Sequence, residues 1–485
     1  MKKFSGKVVA LLMAISLIVG AGGSYAVFRF VQNQSQEKTA AVAGGAVAPD
    51  QETAKLKAIH DLIENEYYKK ISSQDLYDGA INGMIDALND PFSSYMNAKT
   101  ASDFSQSLSS SFQGIGAEVQ MVGKQVTVVS PIKGSPAEKV GLKPKDAIMT
   151  INGKSTEGLT INQAVNKIRG KKGTVVKIGI KRSGASDLLT FSIKRDDIPI
   201  RTVESKMLKS SSNSIGYIAI TQFNENTDGE FSKALDKLEN EKMQGLIIDV
   251  RGNPGGYLQA VEKIGNLLIS SKKPIVQIQN REGKKQPFYS TLEKKKDYPI
   301  AALIDDGSAS ASEILAGALK EAGGYPLIGV KSFGKGTVQQ SIPMTDKSEL
   351  KLTVDKWLTP DSNWIHKKGI QPTIEVKQPD YYYVTPINLK KGQTFRVDQT
   401  DEKIANAQKM LKAAGQNPGR TDGYFSKQTQ QALKAFQKEN KLPESGEIDQ
   451  KTADALQQAT LNAIKNQKHD RQLNSAIEEI KKELK

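Results

Sequence analysis

Two short segments carry residue types suited to acyl-transfer chemistry. The first, Asp306-Gly307-Ser308-Ala309-Ser310-Ala311-Ser312-Glu313, follows the apolar run Ile300-Ala301-Ala302-Leu303-Ile304 with only Asp305 between. The second is Lys331-Ser332-Phe333-Gly334-Lys335-Gly336-Thr337-Val338-Gln339. A buried strand that runs through a turn of small residues into a helix (Glu313 to Leu319) lifts a serine hydroxyl out of the sheet. The same turn points backbone N–H groups at the helix start, where negative charge is stabilised. A lysine between two glycines suits a loop that passes close to that serine. The pair reads as a serine nucleophile, Ser310, with a lysine general base, Lys335. Taken singly, each segment also fits a plainer role: an N-cap before a helix, and a turn with a solvated lysine.

For Lys335 to act as a base, its amine must be partly neutral near pH 7. Burial disfavours the ammonium and lowers a lysine pKa by as much as about 3–5 units in fully buried cases. A carboxylate on the amine would undo this, so the active form is expected to keep Glu313 and Asp306 away from it. Ser308 and Ser312 rival Ser310 at a spacing of two. Ser312 is expected to cap the helix, with Glu313 favouring its positive end.

The elements that must position these residues span 198–384. Ile215 to Ile220 reads as a strand, Thr227 to Leu238 as a helix, and Gly245 to Val250 as a second buried strand. That strand runs into Arg251-Gly252-Asn253-Pro254-Gly255-Gly256-Tyr257, and Pro274 to Gln279 forms a third. Alternating strands and helices indicate a mixed-sheet α/β core with parallel pairing, and such sheets gather their sites at strand C-terminal ends. Arg251–Gly256, Ser310 and Lys335 each follow a buried apolar run, so three loops are expected to converge on one edge.

A length of 485 residues allows two to four domains, and 38% hydrophobic with 25% charged residues describes a globular protein with ample core. The absence of cysteine excludes disulfides, zinc-thiolate sites and cysteine nucleophiles. Three histidines, His60, His366 and His469, are all that a Ser-His-Asp triad could draw on; each is expected at the surface. The net charge of +15 would suit nucleic acid, but basic and acidic residues are interspersed and no aromatic-basic signature appears. No nucleic-acid partner is expected; attraction to an anionic envelope surface accounts for the charge.

Lys2, Lys3 and Lys7 precede an apolar span from Val8 to about Phe28. A span of about 20 residues fits a membrane crossing with a cytoplasmic N-terminus. Residues 1–30 are therefore expected to be a signal anchor, or a signal peptide cleaved near Ala26 or Ala43, and the rest to lie outside the cytoplasm, at the cell membrane or secreted. Residues 31–50 read as a linker. Residues 51–108 read as a helical dimerisation segment, with Leu56, Ile59, Ile63 and Tyr67 at helix spacing.

Residues 109–197 contain Gly114-Ile115-Gly116-Ala117-Glu118-Val119, then Ser135-Pro136-Ala137 and Asp146-Ala147-Ile148, then a helix ending at Arg169-Gly170 and two strands. This order resembles a PDZ domain of the bacterial, protease-associated type. The resemblance implies that a peptide C-terminus adds as a strand, its carboxylate held by the N–H groups of Ile115, Gly116 and Ala117. Glycines that let the backbone curl into an anion-binding nest agree with this. Arg169 either satisfies the helix dipole or contacts the protease body and reports whether the groove is filled.

Asp249-Val250-Arg251-Gly252-Asn253-Pro254-Gly255-Gly256, Gly307 to Glu313 and Phe333 to Gln339 together resemble the carboxyl-terminal processing peptidases, or tail-specific proteases, a likeness covering about 51–372. It implies Ser310 as nucleophile and Lys335 as base. It also implies that Gln339, one helical turn beyond the lysine, orients the amine. The oxyanion hole would combine the Ala311 N–H with one from Gly255 or Gly256, a choice left open. No metal or other cofactor is implied.

Residues 398–460, with Thr421-Asp422-Gly423-Tyr424-Phe425 and a helix ending in Phe436-Gln437, resemble a peptidoglycan-binding domain; a helical bundle used for dimerisation is the plainer reading. Residues 461–485 read as a charged terminal helix that serves the same purpose, and a homodimer is expected. The leading function is an extracytoplasmic serine endopeptidase that recognises exposed apolar C-terminal segments of proteins, in processing or a signalling cascade. The alternatives are a resting PDZ and cell-wall scaffold, and a PDZ-linked protease of the chymotrypsin type.

Overall fold

A computed structural model describes residues 51–182, 187–210, 213–270, 272–466 and 469–485. The expected membrane span and linker, residues 1–50, lie outside the described residues. Among those described, no helix is long and apolar enough to cross a membrane. The described residues form two compact units, 51–88 and 89–485.

In the first unit, α1 (Gln51–Glu66) and α2 (Ser73–Asp86) are joined by the His60 imidazole, 2.7 Å from the Ser73 hydroxyl and stacked on Tyr77 at 4.6 Å. His60 is thus half-buried, not the surface residue expected. Leu56, Ile59, Leu62 and Met84 are exposed.

The expected segment 51–108 divides after Leu88, because residues 89–108 belong to the second unit. There β1 (Ser94–Met96) lies antiparallel to the strand Glu349–Leu358, and α3 (Ala98–Leu108) starts at Asn97, whose side chain accepts the Thr100 N–H at 3.0 Å. The next module holds β2 (Ser111–Gly114), β3 (Ala117–Val122), β4 (Gln125–Pro131), α4 (Pro136–Lys139), β5 (Ala147–Ile151), β6 (Lys154–Ser155), α5 (Ile161–Ile168), β7 (Val175–Lys181), β8 (Leu189–Lys194) and β9 (Asp196–Pro199). Its sheet, ordered β3-β4-β5-β7-β8, turns alternate residues such as Val126, Val128, Val176, Ile178 and Ile180 into one core. Thr160 and Gln163 exchange side chain-to-backbone hydrogen bonds that start α5, a capping box.

The large core contains β10 (Val203–Ser210), β11 (Asn213–Ile220), α6 (Thr227–Asn240), β12 (Gly245–Asp249), α7 (Leu258–Leu268), β13 (Pro274–Gln279), β14 (Lys285–Tyr289), β15 (Ile300–Ile304), α8 (Ala311–Gly317), β16 (Leu327–Gly329), β17 (Thr337–Pro343), β18 (Glu349–Leu358) and β19 (Ile374–Glu375). Its main sheet runs β10-β11-β12-β15-β16-β19, antiparallel only between β10 and β11. The apolar strands are continuous because both faces are covered. Leu246, Ile248, Ile300, Ala302 and Ile304 pack with α6, α7 and α8, whereas Ile247, Ala301 and Leu303 face the other way. A second sheet, β1-β18-β13-β14, carries β17 as an additional partner of β18.

The C-terminal module packs α9 (Glu402–Ala413), α10 (Lys427–Glu439) and α11 (Gln450–Lys465) around Phe425, Leu433, Phe436 and Leu456. The terminal helix corrects the reading of 461–485. Residues up to Lys465 finish α11, and a separate α12 (Arg471–Glu483) lays Leu473, Ala476 and Ile480 on Ile247, Ala301 and Leu303. Its charged face is solvated, but its apolar stripe is the lid of the second sheet face. Covering Leu473 and Ile480 stabilises by about 1.5–3 kcal/mol each.

Candidate active site

Strands β12, β15 and β16 are parallel neighbours, so the loops after them leave one edge of the sheet. They line a cleft of about 540 Å³ that includes Gly255, Gly256, Ser310, Ala311, Lys335 and Gln339.

Ser310 lies between β15 and α8 at φ 55°, ψ −112°, a left-handed backbone that costs a non-glycine residue about 1–3 kcal/mol. Its neighbours hold it there. The Ser308 hydroxyl donates to the Val250 carbonyl at 2.8 Å and the Ser312 hydroxyl to the Asn253 carbonyl at 2.8 Å. Both are fully buried, whereas Ser310 is half-buried and faces the cleft. Ser312 therefore does not cap the helix, as expected from sequence; Ser310 itself occupies that position, and the strained strand-to-helix turn presents its hydroxyl.

The glycine pair is required by close approach. A Cβ on Gly255 (φ +105°) would sit 2.8 Å from the Ala309 carbonyl and 2.9 Å from the Ser310 Cβ. One on Gly256 (φ +145°) would collide with the Phe223 carbonyl. Gly255 donates its N–H to Asn253 Oδ1 at 2.9 Å. The Gly256 and Ala311 N–H groups have no partner among the described residues.

Glu313, fully buried, ties the two motifs together. Its Oε2 accepts the Ser310 N–H at 2.9 Å and the Lys335 N–H at 2.8 Å; its Oε1 accepts the Ser332 hydroxyl at 2.6 Å and the Gly334 N–H at 2.7 Å. The lysine loop is gripped from its other side by the Trp357 and Trp364 indoles, which donate to the carbonyls of Lys335 and Gly336 at 2.7 and 2.8 Å. The Lys335 amine is 5.0 Å from the Phe92 ring centroid and forms no ion pair among the described residues. Burial, reinforced by the charge of Lys351, lowers its pKa below the ordinary lysine value. Neither Glu313 nor Asp306 touches the amine.

Gln339 stands on a strand, not one helical turn from the lysine. The β-favouring run Thr337-Val338-Gln339 pairs with β18, with a bulge between Val338 and Gln339. Its amide nitrogen donates to the Thr337 and Thr353 hydroxyls at 3.0 and 3.3 Å. His366, expected at the surface, packs between Trp364 (5.2 Å) and Phe92 (6.1 Å), and its Nδ1 is buried without a partner. Burial lowers its pKa.

In the module before the core, Gly116 adopts φ 74°, and the N–H groups of Ile115 and Gly116 have no partner among the described residues; Ala117 opens β3. Arg169 ends α5, with its guanidinium 5.0 Å from the Phe112 ring and its Nη1 donating to Gln106 Oε1 at 3.2 Å. Gln106 belongs to α3, whose Phe104, Ser107 and Leu108 wall the cleft.

Sequence reasoning missed the support behind the Arg251 loop. Arg251 is clamped between Asp249 (2.6 Å) and Asp470 (2.9 Å), and it also reaches Gln472 at 3.0 Å. Tyr217 donates to Asp249 at 2.7 Å, and the pair of carboxylates holds the guanidinium charged. Asp249 and Arg251 stand in the motif, but Asp470 is 219 residues away from Arg251, and no local pattern announces it.

Comparison with known proteins agrees with this architecture. Residues 214–376 match the model of peptidase family S41, 105–181 that of a PDZ domain, 17–100 that of the activating protease CtpB N-terminal domain, and 400–456 that of a peptidoglycan binding domain. The chain is 49% identical to the carboxy-terminal processing protease CtpB of Bacillus subtilis (strain 168), across 98% of this chain and 99% of that protein. It is 42% identical to the carboxy-terminal processing protease CtpA of the same organism, across 90% and 91%. Among solved structures, the photosystem II D1 C-terminal processing protease is 27% identical, covering 67% of this chain and 87% of that one, at a TM-score of 0.41. The molecule is a serine-type peptidase with a PDZ domain. More narrowly, the chain belongs to the carboxy-terminal processing proteases of peptidase family S41.

Proposed function

We propose that this protease is an extracytoplasmic endopeptidase working by a Ser-Lys acyl-enzyme mechanism. The observation that carries the reading is the Lys335 amine, half-buried in the Ser310 cleft with no carboxylate on it. The neutral amine takes the Ser310 Oγ proton as the oxygen attacks the scissile carbonyl carbon. The Gly256 and Ala311 N–H groups receive the oxyanion, being the donors without another partner. The lysine ammonium then passes its proton to the leaving amine, and an acyl-enzyme remains. Water attacks the ester with the amine again as base, and Ser310 recovers its proton. Gln339, on the strand that leaves the lysine loop, orients the amine.

The free N–H groups of Ile115 and Gly116 support capture of an exposed apolar C-terminus by the PDZ domain, Ala117 completing the nest. Arg169 joins that domain to α3 and so relays groove occupancy to the cleft wall. The basic and apolar N-terminus supports a membrane anchor or export signal, the apolar residues exposed on α1 and α2 a homodimer, and the C-terminal module a peptidoglycan contact. Processing of proteins outside the cytoplasm, including in a signalling cascade, fits these parts.

Labelling of the full-length chain with diisopropyl phosphofluoridate tests the reading. One phosphoryl group on Ser310, lost in Ser310→Ala and strongly slowed in Lys335→Ala, is the expected result. A folded parent that never labels favours a resting scaffold.

A further inference from the structure

We propose that Lys351 is a specificity-determining residue: it binds a carboxylate of the substrate within a few residues of the scissile bond. The inference rests on the Ser310–Lys335 reading of the cleft and adds the class of peptide that the cleft selects.

The cleft is lined by two lysines, Lys335 and Lys351, and by no aspartate or glutamate. Lys351 forms no ion pair among the described residues. Its ammonium lies 5.2 Å from the Phe104 ring centroid, so an aromatic wall backs it on one side. A cation held against an aromatic face in a cleft without acids is a charge awaiting a counter-charge.

Register fixes where that counter-charge would stand. Lys351 and Thr353 share a face of β18, since side chains alternate along a strand. Thr353 meets Gln339, which points Lys351 toward the same side, two pairs further along, opposite Ser341. Strand β17 pairs only with β18 among the described strands, and its residues Thr337 to Ser341 line the cleft in succession. A peptide laid along that open edge advances about 3.4 Å per residue. The step from Thr337 to Ser341 therefore spans about 14 Å, which puts the carboxylate up to about four residues from the bond cut. An internal Asp or Glu side chain and the substrate's own terminal carboxylate share this chemistry.

The test measures kcat/KM of the full-length enzyme on matched peptides. One set carries Glu or Gln at each position up to four residues from the scissile bond, on both sides. A second set has a free or amidated C-terminus at the same spacings. The expected result is a preference of about tenfold for the acid at one spacing, in the set that names its source. The ratio falls to about one in Lys351→Met, and Lys351→Glu reverses it in favour of a lysine-bearing peptide. Only the ratio within a pair is read, so a common effect of the substitution on both peptides cancels. No preference in the parent, or an unchanged ratio in Lys351→Met, overturns the proposal. Cleavage that survives in Ser310→Ala instead overturns the reading on which it rests.

Discussion

Glu313 meets Lys335 at the backbone N–H, 2.8 Å from its Oε2, and makes no hydrogen bond or ion pair with the lysine amine. The same oxygen takes the Ser310 N–H at 2.9 Å, so one buried carboxylate sets the spacing of two loops without contacting the Lys335 amine. In Glu313→Gln, a donor group faces two of the four donors that the carboxylate satisfied. Leaving buried donors unpaired costs about 1–3 kcal/mol each. Denaturant unfolding is expected to show a loss of about 2–4 kcal/mol, and steady-state kinetics a fall in kcat of at least about tenfold with KM little changed.

Asp470 closes the clamp on Arg251 from the far end of the chain. Asp470→Asn leaves a buried guanidinium half-paired, a loss of about 3–5 kcal/mol. Because Arg251 opens the loop that holds Gly255 and Gly256, kcat falls with it. Burial raises the Asp470 pKa, but Arg251, the Leu473 N–H and Gln378 outweigh that and bring it below the ordinary value. A depressed folded-state pKa stabilises above the unfolded value of about 3.9 and is lost as pH falls through the folded one. Acid-unfolding curves of the parent should therefore be steeper below about pH 4 than those of Asp470→Asn.

Gly256→Ala drives a Cβ into the Phe223 carbonyl and displaces the N–H proposed to receive the oxyanion. A fall in kcat of about 10²–10³ is expected. Gly252→Ala meets nothing within 4 Å, so at φ 64° its cost is left-handed strain alone, about 1–2 kcal/mol of stability. Comparable losses of activity in the two variants would contradict this account of the loop.

Lys335→Met is expected to raise stability at neutral pH while removing activity. The folded-state pKa is lowered, so between it and the ordinary lysine value of 10.5 the unfolded chain binds the extra proton. Stability of the parent then rises with pH across that window, and the advantage of Lys335→Met shrinks as it does. Thermal unfolding at several pH values checks the sign.

Much of this was legible in the sequence, for local reasons. Apolar strands such as Gly245 to Asp249 and Ile300 to Ile304 end in small-residue loops, which placed three loops on one sheet edge. What sequence could not supply was long-range pairing. The choice among Ser308, Ser310 and Ser312 depends on which hydroxyls reach the Val250 and Asn253 carbonyls. That of Gly256 over Gly255 depends on the Asn253 side chain, and the setting of Gln339 on Thr353 across a strand pair. The stripe Leu473, Ala476, Ile480 signals a buried helix face, but not that the core sheet buries it.

The central claim is that Lys335 is the base for Ser310. Its most direct measurement is kcat/KM between about pH 6 and 10 for the parent, Lys335→Ala and His366→Gln, a range bracketing imidazole and a lowered lysine. The account predicts one ascending limb below the ordinary lysine pKa, retained in His366→Gln, with activity all but abolished in Lys335→Ala. An active Lys335→Ala enzyme, or a limb in the imidazole range that disappears in His366→Gln, would contradict it.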